Sequence, residues 1–123
     1  MSDPDKINAI VIDDNIDVQR VFVELLQINN VDVIGTGYNG KEAVELYQKH
    51  TPNIVFMDVM MPEYDGFYGL KNIREHDPNT MVVLVTGSIN VETELDDCNA
   101  TAILPKPINM DKIMSIVNKF CIH

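Results

Sequence analysis

Short apolar runs alternate along the chain with segments in which apolar residues recur every three or four positions. The apolar runs are rich in Val and Ile and are bounded by turn-forming residues, which predicts five strands. These strands cover residues 7–12, 31–36, 53–57, 81–85 and 101–104. The periodic segments predict one helix after each strand. The fourth helix, Ser88–Cys98, is weaker and more acidic than the others. The apolar face of the first helix is formed by Val18, Val21, Phe22, Leu25 and Leu26.

The order of these elements determines the predicted architecture. Strands that alternate with helices form parallel β-α-β units. The first, third and fourth strands are continuously apolar, as expected of strands that helices cover on both faces. We therefore predict an α/β fold with a doubly wound, five-stranded parallel sheet and five helices. The 123 residues fit one domain, residues 1–123, since a domain commonly has roughly 100–200 residues.

Polar side chains lie at the ends of four predicted strands. Asp13 and Asp14 follow the first strand, Asp58 the third and Thr86 the fourth, and Lys106 comes just after the fifth. Ligands of open α/β sheets bind outside the carboxyl ends of the strands, where the strand order reverses. The sequence therefore predicts one site that contains three carboxylates, one hydroxyl and one amine.

Such a site is electrostatically restrictive, because neighbouring carboxylates repel one another unless a proton or a cation relieves them. Lys106 supplies one positive charge. Mg²⁺ suits the remaining demand, since it takes one or two protein carboxylates together with water and phosphate oxygens. Each residue alone has a simpler explanation: Asp13 or Asp14 can cap the first helix, and Lys106 can be a solvated charge. The hypothesis depends on all of them meeting at one edge of the sheet.

The overall charge and the cysteine content indicate which partners and which cellular location to expect. The net charge is -10, from 19 acidic and 9 basic residues, so nonspecific binding to nucleic acid or to anionic lipid is not expected. A basic partner or a divalent cation fits better. Two cysteines, Cys98 and Cys121, are too few for a secreted disulfide framework, which favours a reducing, cytoplasmic location. No apolar run approaches the roughly 18–20 residues that span a bilayer.

Two motifs suggest other ligands and fit less well. Residues 35–40 read GTGYNG, a literal GxGxxG, but a dinucleotide-binding loop follows the first strand rather than the second. We interpret these glycines as a turn. Asp13, Asn15, Asp17 and Glu24 occupy four ligand positions of a calcium-binding loop, but Val18 stands where that loop requires Gly. We interpret Val18 as part of the helical core.

Four motifs together carry a family resemblance. An acidic pair, Asp13-Asp14, follows the first strand, and residues 58–66 read DVMMPEYDG, an Asp followed by Met-Pro and, four residues later, Gly. Thr86-Gly87 closes the fourth strand and Lys106-Pro107 the fifth. In these features the chain resembles a response-regulator receiver domain, the CheY-like fold of two-component signalling, over residues 6–120. The resemblance implies the strand order 2-1-3-4-5.

The resemblance also implies roles for individual residues. Asp58 would be the phosphoacceptor, attacking the phosphorus of a phosphohistidine on a sensor histidine kinase or a phosphotransfer protein. Thr86 would hydrogen-bond the new phosphoryl group, and Lys106 would pair with it. In this family the Lys–Pro peptide, here Lys106–Pro107, is usually cis.

A magnesium site is implied in the same way. Asp14 would bind Mg²⁺ directly, and Asp13 would do so directly or through water. Asp58 and the backbone carbonyl of Met60 would be the other protein ligands.

The implied function is that of a signalling switch rather than a metabolic enzyme, catalysing only its own phosphorylation and dephosphorylation. Phosphorylation would bias the face of the fourth helix, fifth strand and last helix toward an unidentified output protein, without direct contact to nucleic acid or membrane. The family often has an aromatic residue three positions before the lysine, where this chain has Ile103. Two alternatives stay open: a degenerate receiver that only binds partners, and an Mg²⁺-dependent phosphohydrolase that forms an aspartyl-phosphate.

Overall fold

A computed structural model describes residues 6–87 and 99–121. Within these residues it has five strands and four helices, which alternate up to the fourth strand. The strands are β1 (Asn8–Ile12), β2 (Asp32–Gly37), β3 (Ile54–Asp58), β4 (Met81–Thr86) and β5 (Ala102–Pro105). The helices are α1 (Ile16–Ile28), α2 (Gly40–His50), α3 (Gly66–His76) and α4 (Met110–Cys121). The predicted helix Ser88–Cys98 lies outside the described residues.

The five strands form one sheet in the order β2-β1-β3-β4-β5, and every neighbouring pair is parallel. This confirms the predicted doubly wound α/β fold and its strand order. The chain runs outward from β1 to β2 and then returns to the other side of β1 to form β3. The order therefore reverses at β1 and β3, and Ile12 pairs with Met57 next to the carboxyl ends of both strands. This is the edge at which open α/β sheets bind ligands.

Two hydrophobic clusters cover the two faces of the sheet. Alternate residues of β1 divide between them: Ile10 and Ile12 pack toward α2 and α3, whereas Ala9 and Val11 pack toward α1 and α4. β3 is buried along its whole length. Continuous apolar strands are thus explained, because a parallel sheet covered by helices has no solvent-facing side.

The structure corrects the predicted face of α1. Val21, which the periodicity placed in the core, is 50% exposed. The buried line along this helix instead consists of Gln19, Phe22 and Leu26. The polar residue Gln19 thus occupies a position in the core, whereas the apolar pattern had placed Val21 there. Asn15 caps the helix, since its side-chain oxygen accepts from the backbone N–H groups of Asp17 and Val18.

The observed strands differ from the predicted ones by about one residue at their ends. Consequently Asp58 and Thr86 are the last residues of β3 and β4 rather than the residues that follow them. The backbone of both residues is therefore held by the sheet itself. Among the described helices, none has the length and apolar character needed to cross a membrane.

Candidate functional site

Three carboxylates meet at the carboxyl edge of the sheet. One oxygen from each of Asp13, Asp14 and Asp58 lies within 4.8 Å of the other two. Asp13 and Asp58 are buried, at 4% and 6% exposure, whereas Asp14 is exposed. The first two acids come from the β1–α1 connection and the third from the end of β3, so the β1–β3 pairing is what brings them together. The predicted acidic cluster is present.

Lys106 completes this cluster. Its Nζ atom lies 3.3 Å from Oδ2 of Asp58 and 3.6 Å from Oδ2 of Asp13. The lysine directly follows β5, and its backbone N–H donates to the carbonyl of Thr86 at 2.8 Å, which extends the β4–β5 ladder by one step. The Lys106–Pro107 peptide is cis, in agreement with the expectation from the resemblance. One ammonium group thus faces two buried carboxylates.

The surroundings of Asp58 disfavour the charged form of its carboxyl group. Burial is the largest cause that raises the pKa of Asp58, and the neighbouring carboxylate of Asp13 raises that pKa further. Lys106 acts in the opposite direction, through its charge and its hydrogen bond, and does not cancel these effects. The charge of Asp14 adds a smaller upward shift. The site therefore has an unmet demand for positive charge, and its oxygen-only donor set suits a hard divalent cation.

Thr86 lies at the same edge, at the end of β4. β4 pairs with β3, and Asp58 is aligned with Val85, so Thr86 is the next residue along the neighbouring strand. Its side chain is buried, at 7% exposure. The structure thus places the predicted hydroxyl beside the strand end that carries Asp58.

The loop after Asp58 is held tightly against the sheet. The backbone N–H of Val59 donates to Val85 at 3.0 Å, and that of Gly66 donates back to the carbonyl of Val59 at 2.9 Å. A Cβ at Gly66 would lie 2.5 Å from the carbonyl oxygen of Asp58, so only glycine fits there. Met60 lies in this loop with its side chain 63% exposed, and the ligand role of its carbonyl stays a prediction.

One residue that contributes to the site was missed by the sequence analysis. Gln19 of α1 is buried, and its side-chain Nε2 donates to the carbonyl oxygens of Asp13, at 3.2 Å, and Gly37, at 2.8 Å. The available signal was its spacing, because Gln19, Phe22 and Leu26 recur at core-facing helical intervals. A side-chain oxygen of Asp13 also accepts from the N–H of Asn15 at 2.8 Å.

The glycines of residues 35–40 serve the packing of α2. A Cβ at Gly40 would collide with the carbonyl oxygen of Asp65 and would lie 3.0 Å from the N atom of Gly69. The N–H of Gly40 donates to the carbonyl of Tyr64 at 2.7 Å. Close approach of α2 to α3 therefore explains this glycine. The interpretation of the whole motif as a turn was wrong, because Gly35 and Gly37 belong to β2 and Gly40 begins α2.

Comparisons with known proteins agree with this geometry. The family model of the response regulator receiver domain matches residues 9–118. Chemotaxis protein CheY of Bacillus subtilis (strain 168) is 30% identical over 112 residues, which cover 89% of this chain and 93% of CheY. Regulatory protein AtoC of Escherichia coli (strain K12) is 31% identical over 112 residues, but the match covers only 24% of AtoC. The fold is similar to that in the crystal structure of the CheX-CheY-BeF3-Mg+2 complex from Borrelia burgdorferi, with a TM-score of 0.86 and 26% identity, over 95% of this chain and 90% of that chain.

Proposed function

Because the chain belongs to the response regulator receiver domain family, we propose that it is a phosphorylation switch whose phosphoacceptor is Asp58. In this proposal Asp58 takes a phosphoryl group from a phosphohistidine of a sensor histidine kinase or a phosphotransfer protein. The observation that carries the proposal is the position of its carboxylate, buried at the strand end between two further acids and one lysine.

The proposed transfer is a displacement at phosphorus. A carboxylate oxygen of Asp58 forms a new bond to phosphorus, the bond from phosphorus to the imidazole nitrogen breaks, and its electron pair stays on the imidazole. Catalysis of such a step consists of positioning and of neutralising the phosphoryl oxygens. Hydrolysis of the resulting acyl phosphate by water returns the carboxylate and inorganic phosphate. The chemistry is confined to the protein's own phosphorylation and dephosphorylation, so we do not propose a metabolic enzyme.

The donor set fits Mg²⁺. Each of the three carboxylates offers an oxygen within 4.8 Å of the others. Their combined negative charge exceeds the single positive charge of Lys106. Asp13, Asp14 and Asp58, with the carbonyl of Met60, would hold the ion. When bound, Mg²⁺ would neutralise charge shared by the Asp58 carboxylate and the incoming phosphoryl oxygens.

Lys106 and Thr86 are proposed to receive the phosphoryl group. Lys106 already lies 3.3 Å from Asp58, and its ammonium group would pair with a phosphoryl oxygen as a compact point charge. Thr86 would donate its hydroxyl to another oxygen. A movement of Thr86 toward the phosphoryl group would then be transmitted along the β4–β5 edge.

The phosphohistidine partner is proposed to bind beside Lys106. A groove of about 400 Å³ begins at this lysine and continues between α1 and the segment before α4. Its lining is largely apolar and includes Val18, Val21, Pro107 and Ile108. An apolar helix of the partner would cover these residues while its phosphohistidine reaches the acidic cluster.

The output partner is proposed to bind the face formed by β5 and α4; the receiver resemblance adds to it the predicted helix Ser88–Cys98, which lies outside the described residues. Ile103 is 37% exposed on this face and borders a groove of about 370 Å³ together with Leu104 and Ile116. Without an aromatic residue at position 103, the signal would be carried by backbone and loop movement rather than by a ring changing position. The net charge of -10 argues against direct nucleic-acid binding, and a cytoplasmic location suits such a partner of a sensor kinase.

Intact-mass spectrometry after incubation with acetyl phosphate and Mg²⁺ tests the proposal. The wild-type protein should gain one phosphoryl group, Asp58→Asn should gain none, and Asp111→Asn, which alters an exposed acid of α4, should behave as wild type. An undiminished adduct in Asp58→Asn would refute the assignment of Asp58. A wild-type protein without an adduct would favour the degenerate receiver, and multiple turnover of a generic phosphate ester would favour the phosphohydrolase.

A further inference from the structure

Gln19 connects the buried face of α1 to the end of β2 and to the segment after β1 that carries the acidic pair. Its side chain is 5% exposed and faces the sheet in line with Phe22 and Leu26. Both of its amide contacts are to carbonyl oxygens, that of Gly37 at 2.8 Å and that of Asp13 at 3.2 Å. A carbonyl oxygen only accepts, which assigns the NH₂ end of the amide to this position.

These contacts fix the backbone of Asp13 on both sides. The N–H of Asp13 donates to the carbonyl of Gly37 at 3.1 Å, and the carbonyl of Asp13 accepts from Gln19. The same Gly37 oxygen also accepts from Gln19, so the three groups form a closed bridge between β1, β2 and α1. The carbonyl of Asp13 belongs to the peptide that leads into Asp14. The bridge therefore holds the backbone of Asp13 and the peptide that leads into Asp14.

Core filling alone does not explain this residue. An apolar side chain would fill the space next to Phe22, and a buried amide is unfavourable unless its hydrogen-bonding groups find partners. Its partners are the first residue after β1 and the last residue of β2 rather than groups of its own helix. The polar side chain is thus directed toward the segment that carries the acidic pair.

We propose that Gln19 is a positioning residue that holds Asp13 and Asp14 close enough to Asp58 to bind a divalent cation. The inference rests on the proposed function, because it concerns the same magnesium site. Repulsion among the three carboxylates favours an outward shift of the β1–α1 connection when no cation neutralises them. The amide of Gln19 opposes that shift, so the ion meets a pre-formed set of ligands. Residues behind the ligands of a metal commonly change metal affinity by 10–100-fold when altered, roughly.

The test is a titration of the protein with MgCl₂, followed by the NMR signals of the backbone amides. Gln19→Met keeps the unbranched shape and removes both donor contacts, and Gln19→Leu is a second variant with a different shape. We expect the Mg²⁺ dissociation constant to rise roughly tenfold in both. The rate of phosphorylation by acetyl phosphate should need correspondingly more Mg²⁺ for half-saturation, with its maximum close to that of the wild type.

Thr80→Val provides a matched control. Thr80 is also buried, at 6% exposure, and its hydroxyl donates to Tyr47 at 2.6 Å. It lies just before β4, at the opposite end of the sheet, so this variant loses a buried hydrogen bond far from the acids. Thr80→Val should be less stable than wild type and should bind Mg²⁺ with unchanged affinity.

The two proposals fail in different ways. A dissociation constant in folded Gln19→Met or Gln19→Leu equal to that of the wild type would overturn the role of Gln19 alone. A wild-type protein without saturable Mg²⁺ binding would overturn the magnesium site of the proposed function and with it this inference. An equal loss of affinity in Thr80→Val would assign the effect to general stability and would also overturn it.

Discussion

The ammonium nitrogen of Lys106 lies 3.3 Å from Oδ2 of Asp58, although the two residues are 48 positions apart in the chain. The same nitrogen lies 3.6 Å from Asp13. One cation is thus shared by two buried carboxylates, with the exposed Asp14 nearby. The imbalance has measurable consequences for stability, for metal binding and for pH dependence.

Replacing Asp58 by Asn should stabilise the protein at pH 7, by on the order of 1 kcal/mol. Burial and the charge of Asp13 raise the pKa of Asp58 in the folded state, so its ionisation opposes folding. The protonated acid contributes to the stability of the folded state. This contribution is complete below the pKa of the acid in the unfolded chain, about 3.9, and is lost as the pH rises through its higher pKa in the folded state. Urea unfolding of the variant and of the wild type measures the difference in their free energies of unfolding. The series runs from about pH 3.5, near the pKa of an unfolded Asp, up to about pH 8.

The advantage of Asp58→Asn over wild type should therefore shrink toward low pH. Glu45→Gln makes the same carboxyl-to-amide change at an exposed position of α2 and should stay within about 0.5 kcal/mol of wild type. A variant Asp58→Asn that is less stable than wild type at pH 7 would contradict the proposed destabilising charge.

Addition of Mg²⁺ should stabilise the folded protein. A ligand that binds only the folded state adds about 2.7 kcal/mol when its concentration is 100 times the dissociation constant. Thermal unfolding with increasing MgCl₂ measures the shift of the midpoint, and NaCl of equal ionic strength controls for screening. Asp14→Asn should lose most of the shift, because it removes one of the three carboxylates proposed to hold the ion, the one most exposed to solvent. A shift of equal size in NaCl would indicate screening instead of binding.

Lys106→Met should have opposite effects on stability and on metal binding. Without Mg²⁺ the protein should lose about 1 kcal/mol, because two buried carboxylates lose their cation. The affinity for Mg²⁺ should rise severalfold, since no ammonium group then competes with the ion for the same oxygens. Chemical unfolding and an NMR titration measure the two quantities. Lys112→Met, an exposed lysine of α4, should change neither; a lower affinity in Lys106→Met would be inconsistent with competition.

Gly66→Ala should destabilise the protein by about 1–3 kcal/mol. The added Cβ would meet the carbonyl oxygen of Asp58 at 2.5 Å and the Cα of Val59 at 2.9 Å, and both are backbone atoms that cannot turn aside. Gly87→Ala is the matched control, since among residues 6–87 and 99–121 its Cβ would meet only the side chain of Lys106, at 3.6 Å. Thermal unfolding of the two variants compares them directly. Equal stabilities would show that the loop after β3 accommodates the methyl group.

The local pattern was sufficient for the strands and for the site residues of the sheet edge. Apolar runs identified all five strands, and the runs of β1, β3 and β4 are continuous because these strands are buried on both faces. The ends were uncertain by about one residue, since hydrogen bonding to a neighbour rather than residue type decides where a strand stops. This explains why Asp58 and Thr86 belong to β3 and β4 instead of following them.

The helical periodicity was less reliable on α1. Val21 was predicted to be buried and is half exposed. Gln19 was not assigned to the core because it is polar, yet it is almost fully buried. The face that a helix buries is set by where it crosses the sheet, which a hydrophobic pattern indicates only to within one or two neighbouring positions. Partners for a buried amide, here the carbonyls of Asp13 and Gly37, exist only once β1 and β2 are paired.

The sequence by itself determined the succession of strands and helices and the kinds of side chain that follow the strands, because both depend on neighbouring residues. Only the tertiary structure decided that Asp13, Asp14 and Asp58 lie within 4.8 Å of one another and that Lys106 reaches two of them. Those distances depend on the reversal of strand order at β1 and β3 and on the path of the chain after β5. Both are long-range pairings, and local residue preferences do not specify them.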